Sequence, residues 1–246
     1  MSVKGFLEKY FKVSGSEPVA PMAPVATVPV QNSTGRTFRP SEFDSYRSTK
    51  VSMFGESEEH GKSTPFVQPT REVESPRTFH IFTDGACSDN GRKGAKGGFA
   101  VHVYSKKGLG LDISQPLLKT EPQTNNRGEL RAIQAALDLI ESHESEWSKE
   151  YDDYCIWSDS EYSIHCLTKW ATGWRRNGWK KSDGGLIQNI DLIKPVYEKL
   201  ARMSRVRLRH VRAHQRGREN EFPYDGNTEA DRLARSSLQR ISLLSN

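Results

Sequence analysis

Cysteine is scarce in this chain, which has three among 246 residues. Cys87, Cys155 and Cys166 form no CxxC pair, so their spacing indicates neither a disulfide framework nor a zinc site. Free thiols of this kind favour a reducing compartment. We therefore expect an intracellular protein of the nucleus or the cytoplasm.

Long apolar runs are also missing. No stretch approaches the ~20 apolar residues that a membrane span requires, so we expect no membrane association. Charged residues interrupt the opening MSVKGFLEKYFKV, which argues against a secretory signal. The presence of Glu8 and the lack of any arginine before Arg36 make a mitochondrial presequence the less favoured alternative. The net charge of +5 modestly favours a polyanionic partner.

Tryptophan is absent from the first 76 residues, and all five tryptophans follow them. Eight of the twelve prolines lie in that first part. Such a composition buries too little apolar surface to offset the entropy of ordering the chain, which predicts disorder over residues 13–76. The predicted organisation is a short N-terminal motif over residues 1–12, a disordered linker over 13–76 and a folded domain over 77–246.

Four acidic residues stand in distinctive contexts. Asp84 in FHIFTDGACSDNG and Asp159 in YCIWSDSEYSI each follow a β-rich apolar run, which predicts that both lie at strand tips. Glu129 and Asp231 each lie early in a segment with helical apolar spacing. Carboxylates gathered in this way repel one another unless cations neutralise them, and oxygen-only ligation suits Mg²⁺ or Mn²⁺. The alternatives are four solvated surface acids or, for Asp84 alone, an Asp-Gly hairpin turn.

The pattern of the folded domain is that of an α/β protein. Five segments read as strands, the first three as a meander with Gly-rich turns: RTFHIFT, GFAVHVY, LGLDISQPL, DYCIWS and VRLRHV. Four helices are predicted around them, over about 129–141, in YSIHCLTKW, in LIQNIDLIKPVYEKLARM and over about 228–241. This predicts a five-stranded sheet flanked by helices.

Five motifs in order resemble those of a type 1 ribonuclease H, nearer the eukaryotic form, across residues 77–242. They are TDGACSDNGRKGAKGGFAV, TNNRGELRAI, WSDSEYSI, WATGWRRNGWKKSDG and NTEADRLA. The resemblance implies the mixed sheet of the ribonuclease-H-like fold. It also implies an endonuclease that cuts the RNA strand of RNA–DNA hybrids and leaves 5′-phosphate and 3′-hydroxyl ends.

The resemblance further implies a two-metal site with Mg²⁺, for which Mn²⁺ would substitute. In it Asp84 bridges both ions, Asp159 completes the site of the ion that activates water, and Glu129 and Asp231 hold the ion facing the leaving group.

His214, in HVRAHQRG, matches the mobile-loop histidine of the family, which shuttles protons or helps product leave. The chain departs from the family pattern here, because the insertion RGRENEFPYDG lengthens the segment between His214 and Asp231. Flanking Arg212 or Arg216 could then share the role of the histidine. His210 follows at a spacing of four, but it falls in a strand pattern, which disfavours a metal-binding histidine pair.

Other matched positions imply contacts with the nucleic acid. Asn90, Asn126 and Glu129 correspond to residues that contact RNA hydroxyls. Thr124 and Asn189 correspond to the pocket that grips a phosphate of the DNA strand. Pro122 stands where that pocket has an arginine, so either another basic residue compensates or the grip is weaker. Asn125 and Asn126 could equally cap a helix before Glu129.

The stretch KWATGWRRNGWKKSDGG interleaves basic residues with tryptophans. Basic side chains attract phosphates, and aromatic faces pack against sugars or bases. The stretch matches the basic protrusion and DNA channel of the family. The implied DNA contacts are Tyr162, Trp170, Trp174, Arg175, Arg176 and Ser182. The alternative is an amphipathic helix whose tryptophans are buried in the core.

The opening residues resemble a sliding-clamp interaction box in which Lys4 replaces the usual glutamine. Leu7, Tyr10 and Phe11 would insert into a clamp pocket from one face of a helical turn. The alternatives are a short amphipathic helix that packs on its own domain and a weak presequence. Nothing in residues 1–76 resembles the hybrid-binding domain that eukaryotic type 1 enzymes commonly carry.

The resulting hypothesis is a monomeric, metal-dependent ribonuclease H whose partners are RNA–DNA hybrids and a sliding clamp. A hybrid-binding module without catalysis would have no reason to keep mutually repelling carboxylates. A transposase or resolvase of the same fold is disfavoured by the basic protrusion and by Asn90 and Asn126.

Overall fold

The structure is a computed structural model that describes residues 3–10, 75, 77–104, 110–213, 217–218 and 220–243. The described residues all belong to one compact unit. Apart from residue 75, the predicted disordered linker lies outside the described residues. Within the described part of the chain, no helix has the length and apolarity needed to cross a membrane.

A five-stranded mixed sheet forms the centre of the fold, as predicted. Its strands are β1 (Thr78–Ser88), β2 (Lys96–Tyr104), β3 (Ile113–Pro116), β4 (Asp153–Ser158) and β5 (Val206–His210). Their spatial order is β3-β2-β1-β4-β5. The first three strands pair antiparallel, whereas β4 pairs parallel to β1 and β5 parallel to β4.

Helices cover both faces of the sheet. They are α1 (Val3–Tyr10), α2 (Asn125–Trp147), α3 (Glu161–His165), α4 (Ala171–Arg176), α5 (Ile190–Arg202) and α6 (Tyr224–Leu243), with a π-helical segment (Cys166–Trp170) joining α3 to α4. Alternation along β1 directs Ile81 into the core beside α2 and directs Phe82 to the opposite face. Helix α6 covers that opposite face over β1, β2 and β3.

Helix α2 forms where the apolar spacing predicted it. Thr124 caps its N-terminus, since the Thr124 hydroxyl accepts a hydrogen bond from the backbone N–H of Arg127. The predicted apolar positions Leu130, Ile133, Leu137 and Ile140 are all fully buried. The helix nevertheless begins four residues before Glu129 and extends to Trp147, beyond the predicted end.

The prediction that Asp84 ends a strand is wrong. Asp84 pairs with Ala100 in the middle of the β1–β2 ladder, which continues to the pair Ser88 and Lys96. The parallel partner β4 stops earlier, where Thr83 pairs with Ser158. Asp159 directly follows β4, as predicted. Both carboxylates therefore stand where the parallel pairing of β1 with β4 ends.

Helix α1 is an integral part of the core. Phe6 is fully buried and Tyr10 is 6% exposed. The Phe6 ring meets the His143 ring of α2 edge-on, and the Tyr10 ring meets that of Phe99 in the same way. Gln115 on β3 donates a hydrogen bond to the backbone oxygen of Tyr10, at 2.6 Å. This packing agrees with the alternative of a short amphipathic helix that packs on its own domain.

Asp138 of α2 fixes α1 by charge as well as by packing. Its Oδ2 atom accepts hydrogen bonds from Lys9 at 2.5 Å and from Tyr10 at 2.6 Å, and its Oδ1 atom accepts one from Lys199 of α5 at 2.5 Å. Burial would raise the pKa of Asp138, but these three donors outweigh burial and hold the pKa below its ordinary value. Asp138 thus joins α1, α2 and α5.

We predict that Phe6→Ala lowers the free energy of unfolding of the protein by about 3–5 kcal/mol, because it leaves a cavity under α1. Phe6→Leu should cost much less, because it keeps most of the apolar volume. Urea unfolding of both variants beside the wild type checks this. An Ala variant as stable as the wild type would show that α1 does not dock in solution.

Candidate active site

Three of the four predicted carboxylates converge at one point. Asp84, Glu129 and Asp159 each offer an oxygen, and these oxygens lie within 4.8 Å of one another. Asp84 and Glu129 are buried and Asp159 is half-buried. Strand β1, the N-terminal part of α2 and the residue directly after β4 supply one carboxylate each. The cluster therefore depends on tertiary structure and not on any local turn.

Two glycines allow this convergence. A Cβ atom on Gly85 would lie 2.3 Å from the backbone nitrogen of Glu129, and one on Gly128 would lie 2.5 Å from the backbone oxygen of Gly98. Real Cβ atoms do not approach backbone so closely, and backbone cannot move aside as a side chain can. The N-terminal part of α2 therefore lies directly on β1 and β2. Sequence reasoning treated Asp84-Gly85 only as a motif or a turn and missed this packing role.

Asp231 lines the same pocket from α6 but is not part of the tight cluster. Its Oδ1 atom accepts a hydrogen bond from Arg235 Nε at 2.9 Å. Arg235 also lines the pocket, and sequence reasoning missed it. The spacing of four residues on one helix was the available signal, since such residues share a helical face.

Burial and close spacing disfavour the charged forms of the carboxyls in this cluster. Burial and then the neighbouring Asp159 and Asp231 raise the pKa of Asp84 to about 8. Burial and then Asp84 and Asp159 likewise raise the pKa of Glu129 well above its ordinary value. Burial and mutual repulsion therefore favour the protonated forms of Asp84 and Glu129, unless a cation neutralises them.

These residues fit a divalent cation. Glu129 Oε2 is buried without a hydrogen-bond partner among the described residues. An orphaned carboxylate oxygen in a native site requires an explanation, and a bound ion is one. The donor set consists of oxygen alone, which suits a hard cation such as Mg²⁺ or Mn²⁺ better than a soft one.

The residues predicted to contact RNA lie beside this cluster. The Asn90 side-chain oxygen accepts a hydrogen bond from the backbone N–H of Asn125, at 3.3 Å. The Asn125 side-chain amide in turn lies 3.5 Å from Glu129 Oε1. Asn126 is half-buried in the same first turn of α2. The β1–β2 turn is thereby joined to the start of α2 at the mouth of the site.

The positions predicted to grip a DNA phosphate converge on Arg127. The Thr124 hydroxyl accepts a hydrogen bond from the backbone N–H of Arg127, and Asn189 Oδ1 lies 3.5 Å from Arg127 Nη1. Arg127 is buried and also binds two carboxylates, Asp191 at 2.6 Å and Glu121 at 2.8 Å. The Arg127 guanidinium beside these two positions is therefore already paired with two carboxylates.

The aromatic residues of the predicted DNA channel form a row. Trp170 lies 5.8 Å from Trp174 and 6.3 Å from Tyr162, measured between ring centroids. Trp170 is 42% exposed, whereas Trp174 is half-buried against the core. Arg175, Arg176 and Ser182 are exposed. The alternative of a fully buried tryptophan helix is therefore wrong for Trp170.

His214 and Arg216 lie outside the described residues, as does Phe11, and the side chain of Leu7 is likewise not described. His210 ends β5, and its Nε2 atom lies 3.3 Å from the backbone oxygen of Asp159. The metal cluster found among the described residues does not include His210.

Comparison with known proteins identifies the kind of domain that carries this site. A family model described as RNase H matches residues 76–239. Human ribonuclease H1 is 31% identical over 184 residues, which cover 72% of this chain and 57% of that protein. Ribonuclease HI of Haemophilus influenzae is 32% identical over 168 residues, which cover 68% of this chain and 94% of that protein.

A solved structure shares the fold. The solution structure of the PFV RNase H domain aligns with a TM-score of 0.50 and 20% identity, covering 65% of this chain and 94% of that domain. The matches to the mammalian ribonuclease H1 proteins span only 50–57% of their lengths.

We predict that the metal-free protein loses stability as pH rises from about 4 to about 8. In the folded protein the pKa of Asp84 is about 8, above its value in the unfolded chain. The stability contributed by the protonated carboxyl is fully present below the unfolded-state pKa and is lost as pH rises through the folded-state pKa. Asp84→Asn should therefore lose less stability over this range and exceed the wild type at its upper end. The exposed Asp89→Asn is the charge-matched control.

Urea unfolding in chelator across this pH range measures the effect. Adding Mg²⁺ at the upper end should then stabilise the wild type and leave Asp84→Asn nearly unchanged. If the free energy of unfolding changed with pH equally in the wild type and in Asp84→Asn, the pKa of Asp84 would not be the cause of the pH dependence.

Proposed function

This chain belongs to the RNase H family, and we propose that it is an endonuclease that hydrolyses the RNA strand of RNA–DNA hybrids. The products would carry 5′-phosphate and 3′-hydroxyl ends. The observation that carries the proposal is the convergence of Asp84, Glu129 and Asp159 within 4.8 Å in a pocket that Asp231 also lines. Carboxylates at this density are costly to a fold, and cation-dependent chemistry explains why they are kept.

The proposed cofactor is a pair of Mg²⁺ ions, for which Mn²⁺ would substitute. Asp84, Glu129 and Asp159 would hold them, and Asp231 would complete the set once Arg235 releases it. When bound, such ions activate a water and neutralise charge on the phosphate and on the leaving oxygen. The protein contributes the fixed positions of the ligands and the burial of Asp84 and Glu129, which excludes bulk water from their side of the site.

Recognition of the hybrid is proposed to divide between two regions. Asn90 and Asn126, beside Glu129, would read RNA hydroxyls near the cut, because they lie at the mouth of the carboxylate cluster. Trp170 and Trp174, with the exposed arginines of α4, would hold the DNA strand through stacking and phosphate attraction. Thr124 and Asn189 would contribute a weaker phosphate contact, because Arg127 between them is already paired.

Several finer roles complete the proposal. His214, which follows β5 in sequence, would transfer a proton or assist product release. The enzyme would act as a monomer in the nucleus or the cytoplasm.

The proposed clamp contact through Leu7, Tyr10 and Phe11 requires a structural change, because Tyr10 must first leave Asp138 and the core. Calorimetry of the intact protein and of a peptide of residues 1–16 against a sliding clamp would measure the cost of undocking.

We predict that Asp159→Asn lowers hybrid cleavage by several orders of magnitude while hybrid binding and stability stay close to wild type, because the variant loses one metal ligand and no core packing. Asp153→Asn, at the opposite end of β4, is the matched control and should retain activity.

The assay offers a matched RNA–DNA hybrid, double-stranded RNA and double-stranded DNA in Mg²⁺. Selective cleavage of the hybrid by the wild type supports the proposal. Cleavage by Asp159→Asn near the wild-type rate would contradict the site assignment. Cleavage of double-stranded DNA in preference to the hybrid would instead favour a DNA enzyme of the same fold.

A further inference from the structure

Phe222 belongs to the inserted segment before α6, and the proposed catalytic function gives it no role. It is 40% exposed, one of few large apolar side chains so exposed among the described residues. Its ring packs on four aromatic neighbours, with centroids 4.8 Å from His80, 5.4 Å from Tyr104, 5.7 Å from Trp157 and 6.0 Å from Phe82. All four contacts are edge-on, and the rest of the side chain remains open to solvent.

The ring lies next to the start of α6, over His80 of β1, Tyr104 of β2 and Trp157 of β4. Helix α6 has its main contacts with β1, β2 and β3, and Trp157 on β4 is only 8% exposed. Arginines of β5 continue the same face. The Arg209 guanidinium lies 5.8 Å from the Trp157 ring centroid, and Arg207, two residues earlier, shares its side of the strand. We call Phe222, Arg207 and Arg209 the Phe222 surface.

The chain that carries the arginines of this surface is strongly basic. Between Glu198 and Glu219 the sequence has eight lysines and arginines and no acidic residue. The acidic neighbours are Asp153, which lies 3.7 Å from Arg207, and Glu221, which precedes Phe222, and the Arg207 side chain is 37% exposed. An exposed aromatic ring beside arginines is the combination that holds single-stranded nucleic acid, through base stacking and phosphate attraction.

The Phe222 surface also leads to the active site. Strand β5 ends at His210, whose Nε2 atom is 3.3 Å from the backbone oxygen of Asp159. At about 3.3 Å per residue, the path from Arg207 to His210 is about 10 Å long. That is roughly three times the axial spacing of phosphates along one strand of a duplex.

We propose that the Phe222 surface binds a single-stranded extension of the hybrid as it leaves the active site. The inference rests on the proposed function, because it takes the hybrid to be bound at the carboxylate cluster. An extension of either strand would stack one base on the open side of Phe222 and place its phosphates along Arg209 and Arg207. The enzyme would then prefer hybrids that continue into single strands over blunt ones.

The test measures fluorescence anisotropy in the Asp159→Asn background, with Mg²⁺, on a blunt hybrid and on hybrids carrying a single-stranded extension at each of the four strand ends. We expect at least one extension to strengthen binding about tenfold, which corresponds to one stacked base. Phe222→Leu should remove most of that gain, and Phe222→Tyr should retain it. Arg209→Gln should reduce the salt slope for the extended hybrid by about 0.7.

Phe222→Leu keeps an apolar side chain on His80 and Trp157. With Asp159 intact, its cleavage of the blunt hybrid should stay unchanged, and its melting temperature should fall only slightly because the aromatic contacts are lost. Leu118→Ala, which removes a 64% exposed apolar side chain elsewhere, is the control. Equal affinity for blunt and extended hybrids, or a Phe222→Leu variant that keeps the full gain, overturns the inference.

Binding of a polyglutamate peptide without any preference for extensions would assign the surface to an acidic protein and would also overturn the inference. Failure of the wild type to cut the blunt hybrid would instead refute the proposed function. A preference for extensions that Phe222→Leu removes would still support the surface in that case.

Discussion

The backbone contact between the start of α2 and strand β1 is the constraint on which the site depends. Gly85 lets the backbone of Glu129 approach to a distance that any side chain on Gly85 would forbid. Glu129 then shares one cluster with Asp84 and Asp159, and the pKa values of Asp84 and Glu129 rise because burial and mutual repulsion disfavour their charged forms. The same contact that brings the ligands together therefore favours the binding of a cation between them.

Helix α2 is held at a second point that the sequence motifs do not include. Asp138, nine residues after Glu129, accepts hydrogen bonds from α1 and from α5. The N-terminal helix thus supports the helix that carries a metal ligand, although a long segment separates α1 from β1 in sequence. Helix α2 therefore contributes both to the stability of the domain and to the position of Glu129. Truncation of the chain before β1 would remove α1, which is one of the supports of α2.

The sequence predicted most of the site but less of what positions it. Four of the five motifs identified the acids. The run DYCIWS predicted β4 to the residue, because a β-rich run ended by Ser-Asp leaves little choice of boundaries. Asp84 was misplaced because the antiparallel pairing with β2 continues beyond the apolar run. The docking of α1 depends on Asp138 and Gln115, which are distant in sequence, and no local pattern could indicate them.

The central claim is that close approach at Gly85 assembles the metal ligands, and the variant Gly85→Ala tests it most directly. Gly173→Ala is the control, because a Cβ atom there meets nothing within 4 Å. We predict that Gly85→Ala loses Mg²⁺-dependent thermal stabilisation and most hybrid cleavage while circular dichroism still shows a folded protein, and that Gly173→Ala retains the Mg²⁺ effect. A Gly85→Ala protein with wild-type Mg²⁺ stabilisation and cleavage would contradict the account.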